Sequence, residues 1–140
     1  MKIKRKKPFD KGLYVTATPI GNLADITVRA LDLLKDADFI ACEDKRVSGK
    51  LLSYYDIKTP MISYHDHNGS KIRPKLLDYL EQGKSIAYAS EAGTPLIADP
   101  GFSLLSEVIN SGKNVTSAPG PCALIAALTI GGLSTDKFYF

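Results

Sequence analysis

The sequence has few cysteines and no long apolar run, and both shortages exclude whole classes of protein. Only Cys42 and Cys122 occur among 140 residues, and each lies in an apolar segment. This pattern indicates reduced, buried thiols rather than a disulfide framework, although a single bridge between them stays open. No apolar stretch approaches the roughly 18 residues that a membrane span needs, and no apolar segment follows the basic residues at the N-terminus. We therefore expect no membrane partner and a cytoplasmic location.

Two common nucleotide-binding motifs are also missing. No G-x-G-x-x-G follows the first apolar run, and the phosphate-loop pattern G-x-x-x-x-G-K-[ST] does not occur. Their absence argues against a nucleotide-binding oxidoreductase and against a phosphate-hydrolysing enzyme. The stretch most like a metal site is His65-Asp66-His67, but two histidines at i and i+2 with no further Cys or His nearby form a poor site. We predict no metal.

Positive charge is concentrated at the N-terminus. Residues 1–11 hold six of the 18 basic residues and one of the 15 acidic ones, so the remainder carries twelve basic and fourteen acidic groups. We predict a disordered basic arm over residues 1–11 and one domain over residues 12–140, since that length suits a single core. The arm either binds phosphates by releasing counterions or only increases solubility.

From Gly12 onward, short apolar runs alternate with amphipathic stretches. The runs predict five strands, and helical spacing predicts a helix after each one. The first helix is expected to begin at an Asn22 N-cap, and Pro74 is expected in the first turn of the third. The predicted strands are Leu13–Thr18, Phe39–Cys42, Met61–Tyr64, Ser85–Ala89 and Asn114–Ser117. The alternation predicts an α/β fold of three layers, with a mostly parallel five-stranded sheet covered by helices on both faces.

The loops after the predicted strands have an unusual composition. In parallel sheets, ligands bind beyond the carboxyl ends of the strands, so these loops are where chemistry is expected. Four stretches stand out: Ala17-Thr18-Pro19-Ile20-Gly21-Asn22-Leu23, Cys42-Glu43-Asp44, Ala92-Gly93-Thr94-Pro95-Leu96-Ile97 with Asp99-Pro100-Gly101, and Pro119-Gly120-Pro121. Together and in this order, they strongly resemble the tetrapyrrole-methylase superfamily and, within it, the ribosomal RNA small-subunit methyltransferase I group. The resemblance covers about residues 12–140.

The resemblance implies transfer of a methyl group from S-adenosylmethionine to the ribose 2′-hydroxyl of a cytidine in small-subunit ribosomal RNA. It implies two α/β domains with the cofactor between them, and a homodimer whose partner is the RNA or the ribosomal subunit. On that basis the chain is the first domain, and we expect it to be inactive in isolation. Two alternatives stay open. Either the chain belongs to a same-fold methylase of a tetrapyrrole or other small molecule, or it serves only as a folding or dimerisation module.

The proposed site residues lie in the same four loops. Glycines let backbone approach a ligand closely, and prolines stiffen loops that must keep their shape when empty. The residues predicted to bind the cofactor are Pro19, Gly21, Ser90, Glu91, Ala92, Gly93, Thr94, Pro95, Pro119, Gly120 and Pro121. A ribose hydroxyl is a poor nucleophile, so a general base would help.

The residues predicted to be catalytic are Glu43, Asp44 and Arg46. Glu43 or Asp44 would accept the proton or orient the ribose, and Arg46 would hold a phosphate or a carboxylate. The competing interpretation is that these acids only cap the next helix, since Asp44 is a good N-cap. The sequence departs from the group's pattern at Glu91, where Asp is usual, and at Lys45, where Thr is usual.

Overall fold

The computed structural model describes residues 9–140, in which five strands alternate with five α-helices. The strands are β1 (Gly12–Thr16), β2 (Phe39–Cys42), β3 (Met61–Ser63), β4 (Ser85–Ala89) and β5 (Val115–Ala118). The helices are α1 (Val28–Asp36), α2 (Lys45–Tyr54), α3 (Gly69–Glu81), α4 (Phe102–Asn110) and α5 (Ala123–Ile130). The predicted α/β class is confirmed. The predicted bounds of β2 and β4 match the structure. Strand β3 ends one residue earlier than predicted, β5 begins and ends one residue later, and β1 begins one residue earlier and ends two residues earlier.

The strands form one parallel sheet in the order β3-β2-β4-β1-β5. The central strand β4 pairs with β1 on one side and with β2 on the other. All five carboxyl ends therefore lie at the same edge of the sheet. The loop that follows β4 lies between the loops that follow β1 and β2.

Helices cover both faces of the sheet, as the alternating pattern predicts. On one face, α3 and α4 pack on the sheet through Leu76, Leu80, Leu104 and Val108. On the other face, α1 and α2 pack on it through Ala30, Leu34 and Leu52. Burial of such side chains stabilises the fold by about 1.5–3 kcal/mol each before entropy is subtracted. The fifth helix, α5, has no buried residue, and Ile125 and Ile130 are exposed on it.

Two predictions about helix starts are wrong. Asn22 caps a single 3-10 turn (Leu23–Asp25), and α1 begins only at Val28, with the Thr27 hydroxyl accepting from the Ala30 N–H. The cause is the buried Ile26, which adopts an extended conformation between the turn and the helix. Pro74 lies in the second turn of α3, not the first. It is tolerated because this part of the helix is exposed, so water can replace the missing N–H donor.

The predicted basic arm falls mostly outside the described residues, since the structure describes only its last three. Phe9 packs edge-to-face on Tyr14, and the Tyr14 hydroxyl donates to the Asp10 carbonyl oxygen at 2.5 Å. Lys11 forms an ion pair with Asp38 at 3.4 Å. These contacts join residues 9–11 to the domain.

Both cysteines are free thiols. Cys42 is buried, as predicted, whereas Cys122 is only half-buried because α5 carries no buried residue. No helix within residues 9–140 is long and apolar enough to cross a membrane.

Candidate functional site

The loops after β1 and β4 are joined by a two-residue antiparallel bridge. The Thr18 N–H donates to the Gly93 carbonyl oxygen at 3.0 Å, and the Gly93 N–H donates to the Thr18 carbonyl oxygen at 3.0 Å. The two strands are parallel, so this reversed pairing forms only because the β4 loop turns back over the end of β1. The bridge brings two of the predicted cofactor loops into contact.

Buried hydroxyl groups reinforce this bridge. The Thr18 hydroxyl lies 3.1 Å from both the hydroxyl and the carbonyl oxygen of Ser90. The Ser90 hydroxyl donates in turn to the Gly93 carbonyl oxygen. Thr18 is 2% exposed and Ser90 is 6% exposed, so these groups have left water and need each other as partners.

The third cofactor loop, after β5, joins the same assembly. The Thr94 hydroxyl donates to the Pro121 carbonyl oxygen at 2.9 Å. Gly120 packs so tightly on the end of β1 that an added Cβ would lie 3.0 Å from the Ala17 Cβ. Gly93 has a φ of 78° and would bring a Cβ within 3.1 Å of Ile20 Cγ2. Both positions therefore favour glycine: Gly93 because its backbone is left-handed, and Gly120 because a Cβ would push against Ala17.

A cavity of about 320 Å³ lies over these joined loops. Its lining is mostly apolar: Ile20, Ala92, Gly93, Thr94, Ile97, Cys122, Ala123, Leu124 and Phe140. Three residues predicted to bind the cofactor, Ala92 to Thr94, line this cavity.

The remaining predicted cofactor residues surround this cavity or lie away from it. Pro19, Ser90 and Pro95 are buried, whereas Gly21, Glu91 and Pro119 are exposed, and Gly120 and Pro121 are half-buried. Burial of Ser90 commits its side chain to the loop itself, and only the exposed or half-buried positions can offer side chains to a ligand.

A second cavity, of about 410 Å³, lies beyond the ends of β2 and β3. It is lined by Glu43, Asp44, His65, Asp66, His67 and Glu91. The structure therefore brings the two predicted catalytic acids together with Glu91 of the β4 loop and with the histidines after β3. We refer to this group of six residues as the acidic cavity.

Within the acidic cavity, Asp44 is committed to its own neighbours. Its carboxylate caps α2 by accepting from the Arg46 N–H at 2.8 Å, and it pairs with the Arg46 guanidinium at 2.7 Å. The hydrogen bonds from the Arg46 side chain and backbone lower the pKa of Asp44 to about 2. The structure thus shows Asp44 as the N-cap of α2, and a carboxylate with so low a pKa is a weak base.

Glu43 differs from Asp44 in its surroundings. Its carbonyl oxygen accepts from the Ser63 hydroxyl at 2.9 Å, while no partner of its carboxylate is described within residues 9–140. Partial burial raises the pKa of Glu43, and the negative charges of Glu91, Asp99 and Asp66 raise it further. A free carboxylate with a raised pKa can accept a proton from a ligand hydroxyl more readily than Asp44.

A third cavity, of about 410 Å³, lies between the starts of α3 and α4. Arg73 reaches its edge but is bonded to Glu107 at 2.6 Å and to the Tyr64 hydroxyl at 3.4 Å. Its side chain is only 21% exposed. Arg73 therefore does not belong to an exposed basic surface.

Thr18 is the residue of these loops whose contacts the sequence did not reveal. A β-branched residue at the end of an apolar run predicts only a strand. Its hydroxyl role depends on Ser90, which is 72 positions away and adjacent only because β1 and β4 pair. The one available signal was the small polar residue at the carboxyl end of a buried strand.

The whole domain matches one protein family. A family profile described as Tetrapyrrole (Corrin/Porphyrin) Methylases matches residues 12–139. The chain belongs to this family. The match includes all four loops described above.

Curated relatives are similar over nearly the whole chain. A Ribosomal RNA small subunit methyltransferase I from Mesorhizobium japonicum is 52% identical over 134 residues, which is 96% of this chain and 46% of the relative. The protein of the same name from Vibrio cholerae is 51% identical over 128 residues, covering 91% of this chain and 44% of the relative. The chain thus spans about half the length of the curated relatives it matches.

Solved structures of the family share the fold. The structure of a cobalamin biosynthetic enzyme, cobalt precorrin-4 methyltransferase, superposes with a TM-score of 0.68 at 22% identity. It covers 84% of this chain and 48% of that one. At this identity the likeness concerns the arrangement of strands and helices.

Proposed function

We propose that the protein transfers a methyl group from S-adenosylmethionine to the ribose 2′-hydroxyl of a cytidine in small-subunit ribosomal RNA. The observation that carries the proposal is the placement of the β4 loop. Its residues Ala92–Thr94 line the apolar cavity, and Glu91, one residue earlier, lines the acidic cavity. A methyl donor in the apolar cavity and a proton acceptor in the acidic cavity would thereby lie on neighbouring sides of the β4 loop.

The apolar cavity suits an adenosine-containing ligand. Ile20, Ile97 and Leu124 offer flat apolar contact, and the loop backbone at Ala92 is exposed. Peptide groups in such loops can bind a polar ring edge or a carboxylate. The cofactor supplies an electrophilic methyl group on a positively charged sulfur, and the chain's own residues bind and orient it.

Glu43 is the proposed general base. The bound cofactor would supply the methyl carbon to the 2′-oxygen and keep the electron pair of the carbon–sulfur bond, and the Glu43 carboxylate would accept the hydroxyl proton. The neutral thioether and the 2′-O-methyl ribose are the products. Alignment of the oxygen with the methyl group supplies much of the rate, and the base contributes about 10²–10⁴-fold.

Helix α2 is the proposed RNA-facing surface because it follows directly on Glu43 and Asp44. It carries Lys45, Arg46 and Lys50, which are exposed, and its sequence contains no acidic residue. Apart from the Arg46–Asp44 pair, no ion pair of these side chains is described within residues 9–140. Free cations beside the acidic cavity can bind phosphates and release their counterions.

Alanine at both Lys45 and Lys50 tests this surface. We expect RNA affinity to fall about tenfold and the salt dependence of binding to weaken by about one to two phosphate contacts. Lys35→Ala, an exposed lysine at the end of α1, is the control. If both variants bind RNA equally well, α2 is not the surface.

The proposed activity is tested with the protein as its source organism produces it. Small ribosomal subunits from a strain lacking this modification are incubated with the protein and labelled S-adenosylmethionine, and the RNA is then digested to nucleosides. The proposal predicts label in a 2′-O-methylcytidine. Label in a tetrapyrrole but not in RNA would support the small-molecule alternative, and no cofactor binding at all would support a folding or dimerisation module.

The proposal includes a location and an assembly. We propose that the protein acts in the cytoplasm, where ribosomal RNA is available, and that it works as a homodimer. Support for both comes from the proposed substrate and from the resemblance of the four loops. Light scattering at micromolar concentration measures the oligomeric state, and a monomer under assay conditions would contradict the dimer.

A further inference from the structure

The two buried hydroxyls of Thr18 and Ser90 connect the end of β1 to the carbonyl group of Gly93. We infer that Thr18 is a positioning residue, which fixes the β4 loop through Ser90 in the shape that binds the cofactor. This inference rests on the proposed function, because it assigns the loop to cofactor binding. Thr18 itself is buried and is absent from the lining of the apolar cavity.

The hydrogen bonds around Gly93 leave little freedom. Its carbonyl oxygen accepts from the Thr18 N–H and from the Ser90 hydroxyl, and its N–H donates to the Thr18 carbonyl oxygen. Both polar groups of Gly93 are thus used within the protein. Hydroxyl groups in such a chain polarise and strengthen one another.

The loop needs this support because its later part is strained. Leu96 and Ala98 have φ values of 75° and 49°, a left-handed conformation that residues with a Cβ rarely adopt. Strain of this kind persists only where neighbouring contacts over-determine the conformation. The Thr18–Ser90 pair supplies such contacts at the start of the loop.

The effect extends to the loop after β5. Thr94 directly follows Gly93, and its hydroxyl donates to the Pro121 carbonyl oxygen. A shift of Gly93 would therefore move Thr94 and loosen the side of the cavity that Cys122 to Leu124 form. Thr18 thus positions two sides of the cavity although it contacts neither the cavity nor its contents.

The test compares Thr18→Val, which keeps the shape but removes the hydroxyl, with Thr18→Ser, which keeps the hydroxyl. Calorimetric titration with S-adenosylhomocysteine, on the protein as its organism produces it, gives the affinity. We expect Thr18→Val to bind about tenfold more weakly and Thr18→Ser to stay within about threefold of the parent. Hydrogen exchange should be faster at the Gly93 amide in Thr18→Val.

Thr59→Val is the matched control. The Thr59 hydroxyl donates to the Leu34 carbonyl oxygen at 2.6 Å, far from the cavities, so its loss should lower stability but not affinity. Equal loss of affinity in the two valine variants would overturn the inference, as would unchanged affinity in Thr18→Val. If the parent protein itself does not bind the ligand, the proposed function fails, and Gly93 exchange still reports whether Thr18 holds the loop.

Discussion

The Nε of Arg46 lies 3.2 Å from each carboxylate oxygen of Asp44, and its Nη2 lies 2.7 Å from one of them. The same carboxylate accepts the Arg46 backbone N–H at the start of α2. Asp44 and Arg46 therefore satisfy each other, and of the two adjacent acids only Glu43 has a carboxylate with no partner described within residues 9–140.

Exchange of each acid for its amide should separate their roles. Asparagine is itself a good N-cap, so Asp44→Asn should keep α2 intact and retain most of the methylation rate. Glu43→Gln should lower the rate about 10²-fold or more, because it removes the proton acceptor. Initial rates on small ribosomal subunits measure both. A large loss in Asp44→Asn with normal activity in Glu43→Gln would reverse the assignment.

The rate of methylation should depend on pH through Glu43. Burial and the neighbouring charge of Glu91 raise the pKa of Glu43, and a base acts only when ionised. The rate should therefore rise with pH through a midpoint above the ordinary glutamate value. Glu91→Gln removes one negative neighbour and should move the midpoint to lower pH.

Profiles of kcat/KM against pH for the parent protein and for Glu91→Gln check this prediction. Glu81→Gln, on α3, is the control, since Glu81 pairs with Lys113 away from the acidic cavity. A midpoint that shifts equally in Glu81→Gln and Glu91→Gln would show that Glu91 has no specific effect on the base.

Asp38 should contribute to stability in a pH-dependent way. Its carboxylate accepts from the Ser85 N–H at 2.8 Å and from the Ser85 hydroxyl at 3.0 Å, which connects the starts of β2 and β4. The Ser85 backbone hydrogen bond lowers the pKa of Asp38. Asp38→Ala should cost about 1–3 kcal/mol at pH 7.

The sign of the pH effect follows from the lowered pKa. Ionised Asp38 contributes fully to the free energy of unfolding when the pH is above the pKa of Asp38 in the unfolded chain. This contribution is lost as the pH falls through the lower pKa that Asp38 has in the folded protein. The difference in stability between the parent and Asp38→Ala should therefore shrink as the pH falls below about 4, the ordinary pKa of an aspartate. Urea unfolding at several pH values, with Asp32→Ala as control, measures it. A constant difference would show that the charge of Asp38 is not involved.

Gly93 and Gly83 form a matched pair of glycines. Their φ values are 78° and 74°, but an added Cβ meets Ile20 only at Gly93, and at Gly83 it meets nothing within 4 Å. Alanine should cost about 1–2 kcal/mol at either position because of the left-handed backbone. Only Gly93→Ala should also weaken S-adenosylhomocysteine binding. If Gly93→Ala and Gly83→Ala bind S-adenosylhomocysteine equally well, the close packing of Gly93 on Ile20 does not shape the cavity.

Much of this architecture could be predicted from local patterns. The runs Phe39–Cys42 and Ser85–Ala89 are apolar on both faces of the sheet, so their buried positions could be read directly. The loops were located by a general rule for parallel sheets, which places ligands at one edge. The start of α1 was missed because Ile26 is buried by long-range packing, which a capping pattern does not contain.

The internal arrangement of the site could not be read in the same way. The sequence placed Glu43 and Asp44 side by side as equal candidates, and only the orientation of Arg46 distinguishes them. Glu91 was grouped with the cofactor residues by its neighbours in the chain, and the structure places it in the lining of the acidic cavity. Such distinctions depend on the order of the strands in the sheet and on the direction of the side chains. The spacing of residues along the sequence predicts neither.

The central position of β4 gives its loop a thermodynamic role. The β4 loop lines both cavities, so a ligand bound in either cavity would restrict its motion. The second ligand would then lose less conformational entropy of the loop when it binds. The two binding steps should therefore be positively coupled, and the coupling free energy must be the same whichever ligand binds first. The protein would then favour the state in which methyl donor and acceptor are bound together.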